Sequence, residues 1–352
     1  MKKLLFVLVC ICCLYLGCKT DFDINAEYKE TTVVYGLLDR NEKAQMIKIN
    51  KTFLTNGDAS QFAMEPDAIN YDPADLKVTM DEVQGTSIIR TLTLHDSIIP
   101  HKQAGDFSTA KNIVYVTYAK LDSSKSYNLK VENLKTGNIV TASTPLIDYI
   151  DLIIKPGYMN FVTQVSMPTT PGKYSSPNVS WYTKKYAKTY QVNVRFYYRE
   201  KNVVVTPNVT QNKFLDWPQA ILESTTIGSK LTQPINGLAF YQYLQSSIAE
   251  DDNVVRYADS LVVTLSVGTE ELDNYIKINK PGSDFNQDKP TYTNIVNGLG
   301  IFSTRFKIAQ TKYFCSTFPV AGAVTTPCTQ AVPSYVEFIQ GRYTSRLGFQ
   351  YP

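Results

Sequence analysis

From Thr31 onward the apolar residues of this chain recur at every second position, and that period limits the fold more than any other feature. Ile47, Ile49 and Phe53 alternate with Lys48, Asn50 and Thr52, and Leu76, Val78 and Met80 with Lys77, Thr79 and Asp81. Val114, Val116 and Tyr118 form another row, and Tyr127, Leu129 and Val131 a fourth. Successive side chains of a strand point to opposite faces, so the pattern describes antiparallel strands buried on one face and wet on the other. With 32–38, 92–94 and 138–142 added, about seven strands fall within roughly 120 residues. That density predicts a mainly all-β chain whose first domain, residues 31–146, is a β-sandwich. Residues 56–73 break the alternation with Asn56-Gly57, Pro66 and Pro73 and are expected to form a long surface loop.

A second β-rich domain, residues 147–352, follows Thr144-Pro145. Its clearest strand lies at 190–198, where Tyr190, Val192, Val194, Phe196 and Tyr198 share a face. Another strand is expected at 178–182, and Leu261, Val263, Leu265 and Val267 mark a later one. Two short helices interrupt the strands. One, near 237–248, opens at Asn236-Gly237 and aligns Tyr241, Leu244 and Ile248. The other, near 270–280, has Thr269 as N-cap, Glu270 and Glu271 at the positive end of the helix dipole, and a Leu272, Tyr275, Ile276 stripe. Pro281-Gly282 stops it. Both are expected to pack at a sheet edge.

The first seventeen residues stand apart. Lys2 and Lys3 precede an apolar run from Leu4 to Leu16, followed by Gly17 and Cys18. A basic start, an apolar stretch of about 7–15 residues and a small residue before the cut describe a secretory signal peptide. As a helix the run reaches only ~20 Å at ~1.5 Å per residue, short of the ~30 Å hydrocarbon core. Gly17-Cys18 resembles the end of a bacterial lipoprotein signal, in which the Cys after the cut is acylated, although Tyr15 and Leu16 depart from its favoured residues. The plainer alternative is a secretory peptide with an incidental Cys. On the lipoprotein reading, residues 1–17 are removed, Cys18 carries the lipid and 18–30 form a tether. Acyl chains at ~0.8 kcal/mol per buried CH₂ then hold the body at a membrane. Lys19-Thr20-Asp21-Phe22-Asp23 resembles the Lys-then-acidic export signal of Bacteroidota lipoproteins, which places the body on the outer membrane facing the cell exterior.

Without Lys2 and Lys3 the 35 basic side chains become 33 against 32 acidic ones, too near balance to suggest a nucleic-acid partner. Of the six cysteines, Cys18, Cys315 and Cys328 remain after the cut. In an oxidising compartment Cys315 and Cys328 are expected to form a disulfide worth about 3 kcal/mol in the chain-entropy model. A metal pair competes with that reading, but the two histidines, His95 and His101, are remote in sequence.

Candidate chemistry is sparse. His95 and His101 lie ~20 Å apart if the strand continues, too far to share a metal, and read as surface residues. Asp284, Asn286 and Asp288 have a calcium-loop rhythm, but Lys289 stands where the turn glycine belongs and Ile295 where the closing Glu belongs. Asn297-Gly298-Leu299-Gly300 lacks a following helix and reads as a turn or bulge before a strand at 301–306, not as a phosphate loop. No nucleophile elbow or HExxH occurs, so no cofactor, metal or enzymatic activity is expected. Asp96-Ser97 and Asp259-Ser260 match the short Asp-Ser-apolar sequence that Bacteroidota O-glycosylate, making Ser97 and Ser260 candidate acceptors. The 24 tyrosines are ordinary sheet residues for the most part, while Trp181, Tyr182 and Trp217 are candidate ligand-binding aromatics.

The chain resembles a Bacteroidota outer-membrane lipoprotein family known as a domain of unknown function. The resemblance rests on Cys18 with its acidic tail, the strand at 32–38 and the strand from Tyr127 to Val131 leading to Thr141-Ala-Ser-Thr-Pro145. Trp181 and residues 293–302, ending Asn297-Gly-Leu-Gly-Ile-Phe302, complete it. It implies a transthyretin- or Ig-like first domain and a fibronectin-like second domain with insertions. The Cys315–Cys328 spacing is wider than the pair associated with that family. A non-enzymatic module for adhesion, ligand capture or assembly beside an outer-membrane transporter is expected. The alternative is a carbohydrate-binding or hydrolytic surface accessory, which would need two facing carboxylates about 5–10 Å apart.

Overall fold

The structure, a computed structural model, describes residues 30–53, 59–100, 105, 108–155, 159–204, 209–279, 292–314 and 332–351. The first half contains β1 (Thr32–Leu38), β2 (Gln45–Lys51), the short helices α1 (Ala59–Ala63) and α2 (Pro66–Ile69), β3 (Leu76–Gln84), β4 (Ser87–Ile98), β5 (Ile113–Thr117), β6 (Ser126–Asn133) and β7 (Ile139–Pro145). Next come β8 (Ile153–Lys155), β9 (Val162–Gln164), β10 (Lys173–Tyr174), β11 (Asn178–Tyr182), β12 (Thr189–Asn202), β13 (Thr210–Glu223) and β14 (Lys230–Pro234). The remainder is α3 (Gly237–Ser247), β15 (Val254–Gly268), α4 (Glu270–Asn279), β16 (Gly298–Lys312) and α5 (Pro333–Gln340). The chain is mainly β, the class its period predicts.

The first body is a ring of strands. In hydrogen-bonded order it runs β16-β1-β2-β5-β4-β3-β6-β7. β4 turns the corner between its two sheets, pairing with β3 through Ser87 to Leu94 and with β5 through His95 to Ile98. β16 lies parallel to β1, from Thr32↔Gly298 to Leu38↔Thr304. The ring closes where Thr141 of β7 and Val296, just before β16, exchange both backbone hydrogen bonds at 2.8 and 3.3 Å. Val34, Ile47, Ile49, Val78, Met80, Leu129 and Val131 face inward, with Phe302 of β16 fully buried among them. Asn297 and Gly300 both take positive φ, and a Cβ on Gly300 would sit 2.0 Å from the Val34 carbonyl oxygen. The turn expected at 297–300 is therefore a device that lets β16 approach β1, and Gly300 is the residue that allows it.

The second body uses the other half of the same strand. Arg305 to Lys312 pair with β15, giving the sheet β13-β12-β15-β16. On its inner face, Tyr190, Val192, Val194, Phe196 and Tyr198 are buried as their spacing predicts. They pack against the three-stranded sheet β14-β11-β8 and against α3 and α5. This core is built from rings: Phe196 stacks on Phe338 at 5.6 Å, and Phe161 meets Phe240 at 4.7 Å. Leu146 belongs to the first core and Ile147 to the second, while Ile295 and Phe302 return to the first. The expected division near 146 therefore left out a strand that the first body needs. Strand pairing over such a separation is not written in local sequence.

Both expected helices form. The Asn236 side chain accepts a hydrogen bond from Ala239 N–H at 2.9 Å, and the Thr269 hydroxyl accepts one from Leu272 N–H at 3.2 Å. Lys280 and Pro281-Gly282 lie outside the described residues. Residues 59–75 are not an open loop: α1, α2 and a turn of 3₁₀ helix at Pro73–Asp75 replace it, and Ile69, Asn70 and Tyr71 are buried. α5 had no expectation. It buries Glu337 completely, and the carboxylate accepts hydrogen bonds from Ser166 N–H (2.7 Å), the Ser166 hydroxyl (2.6 Å) and the Tyr174 hydroxyl (2.7 Å).

Candidate functional site

The outer face of the second body's sheet is set by the residues between the buried ones. On β12 these are Gln191, Asn193, Arg195, Tyr197 and Arg199. The register aligns Arg195 with Asp216 of β13 and Val262 of β15, and Tyr197 with Phe214 and Ser260. Arg195 makes a bidentate pair with Asp216 (Nε to Oδ1 2.8 Å, Nη2 to Oδ2 2.7 Å), and Asn193 donates to the same carboxylate at 2.8 Å. The Arg195 guanidinium lies 4.2 Å from the Phe214 ring centroid, and Tyr197 is 6.1 Å from that ring. One row on, Arg199 holds Asp259 at 3.0 and 3.2 Å and lies over Tyr257 at 5.4 Å. Hydrogen bonding to Arg195 lowers the Asp216 carboxyl below its ordinary range and raises Arg195. Both pairs are part-exposed, so each adds about 0.2–1 kcal/mol of stability at most. Their consequence is an ordered, charge-balanced surface of rings and hydrogen-bonding groups.

At one end of this face lies α4. Gly268, directly before it, leaves room that a Cβ would fill 2.9 Å from the Thr189 hydroxyl and 3.2 Å from Leu272. The Thr269 hydroxyl meets that of Ser303 at 2.6 Å, and Tyr275 packs edge-on against Tyr35 of β1 at 6.4 Å. Lys277 binds Asp273 and Glu223, and Lys188 binds Glu270 and Asp273, fixing the helix to the second body's sheet. Between α4 and the sheet runs a groove of about 340 Å³. Leu272 and Ile276 form its helix wall, Gln191 and Ser266 contribute from the sheet, and Arg305 and Lys307 also line it. Beside it, Asp39 is buried at the end of β1, with Oδ2 3.9 Å from Arg305 Nε. Burial raises the Asp39 carboxyl above its ordinary range.

A family model described as Domain of unknown function (DUF4249) matches residues 19–305, more than half of the chain. The chain belongs to this family. Its match ends at Arg305, where β16 passes from pairing with β1 to pairing with β15. No curated protein matches the chain.

Within the DUF4249 domain the three candidate aromatics separate. Trp181 is fully buried and stacked on Tyr190 at 5.8 Å, so it is a core residue and no part of a binding surface. Its strand neighbour Tyr182 points outward and is half-exposed. Trp217 faces the inner side of β13, half-buried and stacked on Tyr243 at 5.8 Å, while Phe214 and Asp216 point out. Tyr198 and Tyr241 are also core. Ser260 lies on the outer face opposite Tyr197, beside the bulge between Tyr197 and Tyr198. Ser97 sits in β4 on a shallow hollow with His95, Thr117 and Tyr118. Cys18, Cys315, Cys328, His101 and the Asp284–Asp288 rhythm lie outside the described residues. Among the described residues no group of three metal-ligating side chains occurs, and no helix is long and apolar enough to cross a membrane. Arg195, Phe214, Asp216, Arg305 and Lys307 carried no mark in the sequence. Period two around Arg195 was the one available signal.

Proposed function

We propose that this DUF4249 protein is a non-enzymatic binding module, held by a lipid on Cys18 at the outer membrane and facing the cell exterior. It engages its partner through the outer face of β13-β12-β15-β16. The observation that carries this reading is the ordered row of Arg195, Asp216, Phe214 and Tyr197, held ready on an exposed sheet face. Groups already fixed in place lose little conformational freedom on binding. The signal-like residues 1–17 and Gly17-Cys18 support the anchor. An outer-membrane transporter or an extracellular ligand is the partner expected of such a module. A carbohydrate is a second reading, favoured by the Phe214 ring lying next to a bidentate hydrogen-bonding pair.

Two measurements test the proposal. Palmitate labelling of native cells should mark the wild type and spare Cys18→Ala; equal labelling of both removes the anchor. Co-purification from native membranes should recover a stoichiometric partner with the wild type. A folded Arg195→Glu, Phe214→Asp variant should lose it at least tenfold. Equal recovery would remove the outer face from the proposal.

A further inference from the structure

We propose that the groove beneath α4 binds a small monoanionic ligand, a carboxylate carried on an apolar body. The groove lies at the α4 end of the same outer face as the Arg195 and Arg199 rows, and a small ligand there goes beyond the partner reading above.

The register explains why two cations meet there. Thr189, Gly268 and Arg305 lie in one cross-strand row, and Gln191, Ser266 and Lys307 in the next. Along the rest of the face every arginine is spent on a carboxylate: Arg195 on Asp216, Arg199 on Asp259. In the groove this changes. Among the described residues the Lys307 ammonium has no ion pair, and its backbone carbonyl is held by the Asn41 amide at 2.9 Å. Among the described residues Arg305 has one carboxylate within ion-pair distance, Asp39, and at 3.9 Å that contact is too long for a hydrogen bond. Its planar set of N–H donors is therefore free to grip a carboxylate on two points.

The surroundings set the ligand's charge and body. Glu223, Glu270 and Asp273 are nearby but engaged by Lys188 and Lys277. Arg305, Lys307, Lys188 and Lys277 balance Asp39, Glu223, Glu270 and Asp273. A single carboxylate is therefore held by the donors of Arg305 and Lys307, which make no hydrogen bond to a carboxylate among the described residues, and not by a net positive field. A phosphate monoester, close to a dianion at neutral pH, brings a second negative charge into surroundings that are already balanced and is disfavoured. Leu272 and Ile276 on the helix, with Leu37 and Ile221 opposite, offer apolar walls. Ile221 and Ile276 are more than half exposed with the groove open. A ligand that covers them gains from apolar burial. The volume, about 340 Å³, is at the small end for ligand sites, fitting a dipeptide end or a short fatty acid.

Calorimetry on the full chain, solubilised from membranes, tests this with three probes: N-acetyl-Leu-Leu, its C-terminal amide, and octanoate. One-to-one binding of an acid probe is expected, with the amide at least tenfold weaker. N-acetyl-Leu-Leu ahead of octanoate assigns a peptide end, and the reverse order a fatty acid; both support the site. Phenyl phosphate should bind at least tenfold more weakly than the better acid. Arg305→Gln and Lys307→Glu should each reduce acid binding about tenfold, while the charge reversal Lys77→Glu on the first body leaves it unchanged. Amide binding as tight as acid overturns the proposal on wild-type protein alone, whatever the variants do. So does the absence of saturable acid binding at millimolar concentration. Partner recovery with the Arg195→Glu, Phe214→Asp variant reads the Arg195 row, and calorimetry with Arg305→Gln and Lys307→Glu reads the groove at the other end of the face, so either proposal can fail while the other stands.

Discussion

In the first body the strand ladder returns on itself through β16, and the interior is filled mainly by Val, Ile, Leu and Met side chains from both sides of the ring, with Tyr127 and Phe302 among them. In the second, the ladder ends at β13, one sheet face stays open, and the other is filled by Trp181, Tyr190, Phe196, Phe240, Phe314 and Phe338. The first therefore buries its strands by closure, which leaves few unpaired edges. The second buries them by covering one face with rings and helices, which leaves the opposite face available for function. The open face carries the ordered Arg–carboxylate rows and the groove. β16 serves both bodies, with Phe302 in one core and Phe306 in the other.

Breaking that shared strand gives the largest expected effect. A fragment of residues 31–146 lacks β16, so β1 loses its parallel neighbour and the ring its closure. It should show no cooperative urea transition by circular dichroism, whereas fusing residues 293–304 back through a flexible linker should restore one. A cooperative transition in the bare fragment would show that closure is dispensable.

Next in size, Phe302→Ala removes a fully buried ring and should cost about 3–5 kcal/mol in urea unfolding. If β16 couples the bodies, one shifted transition will appear; an undisturbed second transition would mean that they unfold independently.

The smallest effect concerns the junction. Burial raises Asp39 above its ordinary value of 3.8. Below the ordinary value the residue is protonated both folded and unfolded. As pH rises through the raised folded value, the native state must carry a buried charge, and stability falls relative to an uncharged side chain. Asp39→Asn should therefore gain on the wild type as pH rises from 3 towards neutrality, measured by urea titration at each pH. A gap that stays constant over that range would contradict the assignment.

Much of this was readable in the chain. Period two located β12 and its inward Tyr190, Val192, Val194, Phe196 and Tyr198, and the Thr269 cap located the start of α4. β13 was hidden because Phe214, Leu215 and Trp217 place apolar side chains on both faces and Pro218 interrupts the run. An edge strand tolerates such a proline, but whether a strand is at an edge is a tertiary fact. α5 was hidden because its eight residues are mostly apolar, and Glu337 finds its donors at Ser166 and Tyr174, far away in sequence. Trp181 and Trp217 looked equally suited to bind, and only packing separated the buried ring from the half-covered one.

The sequence by itself determined the β class, the faces of the clearest strands and the caps of two helices. Each of these depends on residues within a few positions of one another, where strand alternation and helix capping act. The tertiary structure alone decided that β16 would close one body and extend the other. It also decided that Arg305 and Lys307 would meet Leu272 and Ile276 across a groove. Those outcomes depend on strand order and register, which join Thr32 to Gly298 and Ser266 to Lys307, and no local propensity specifies such pairings.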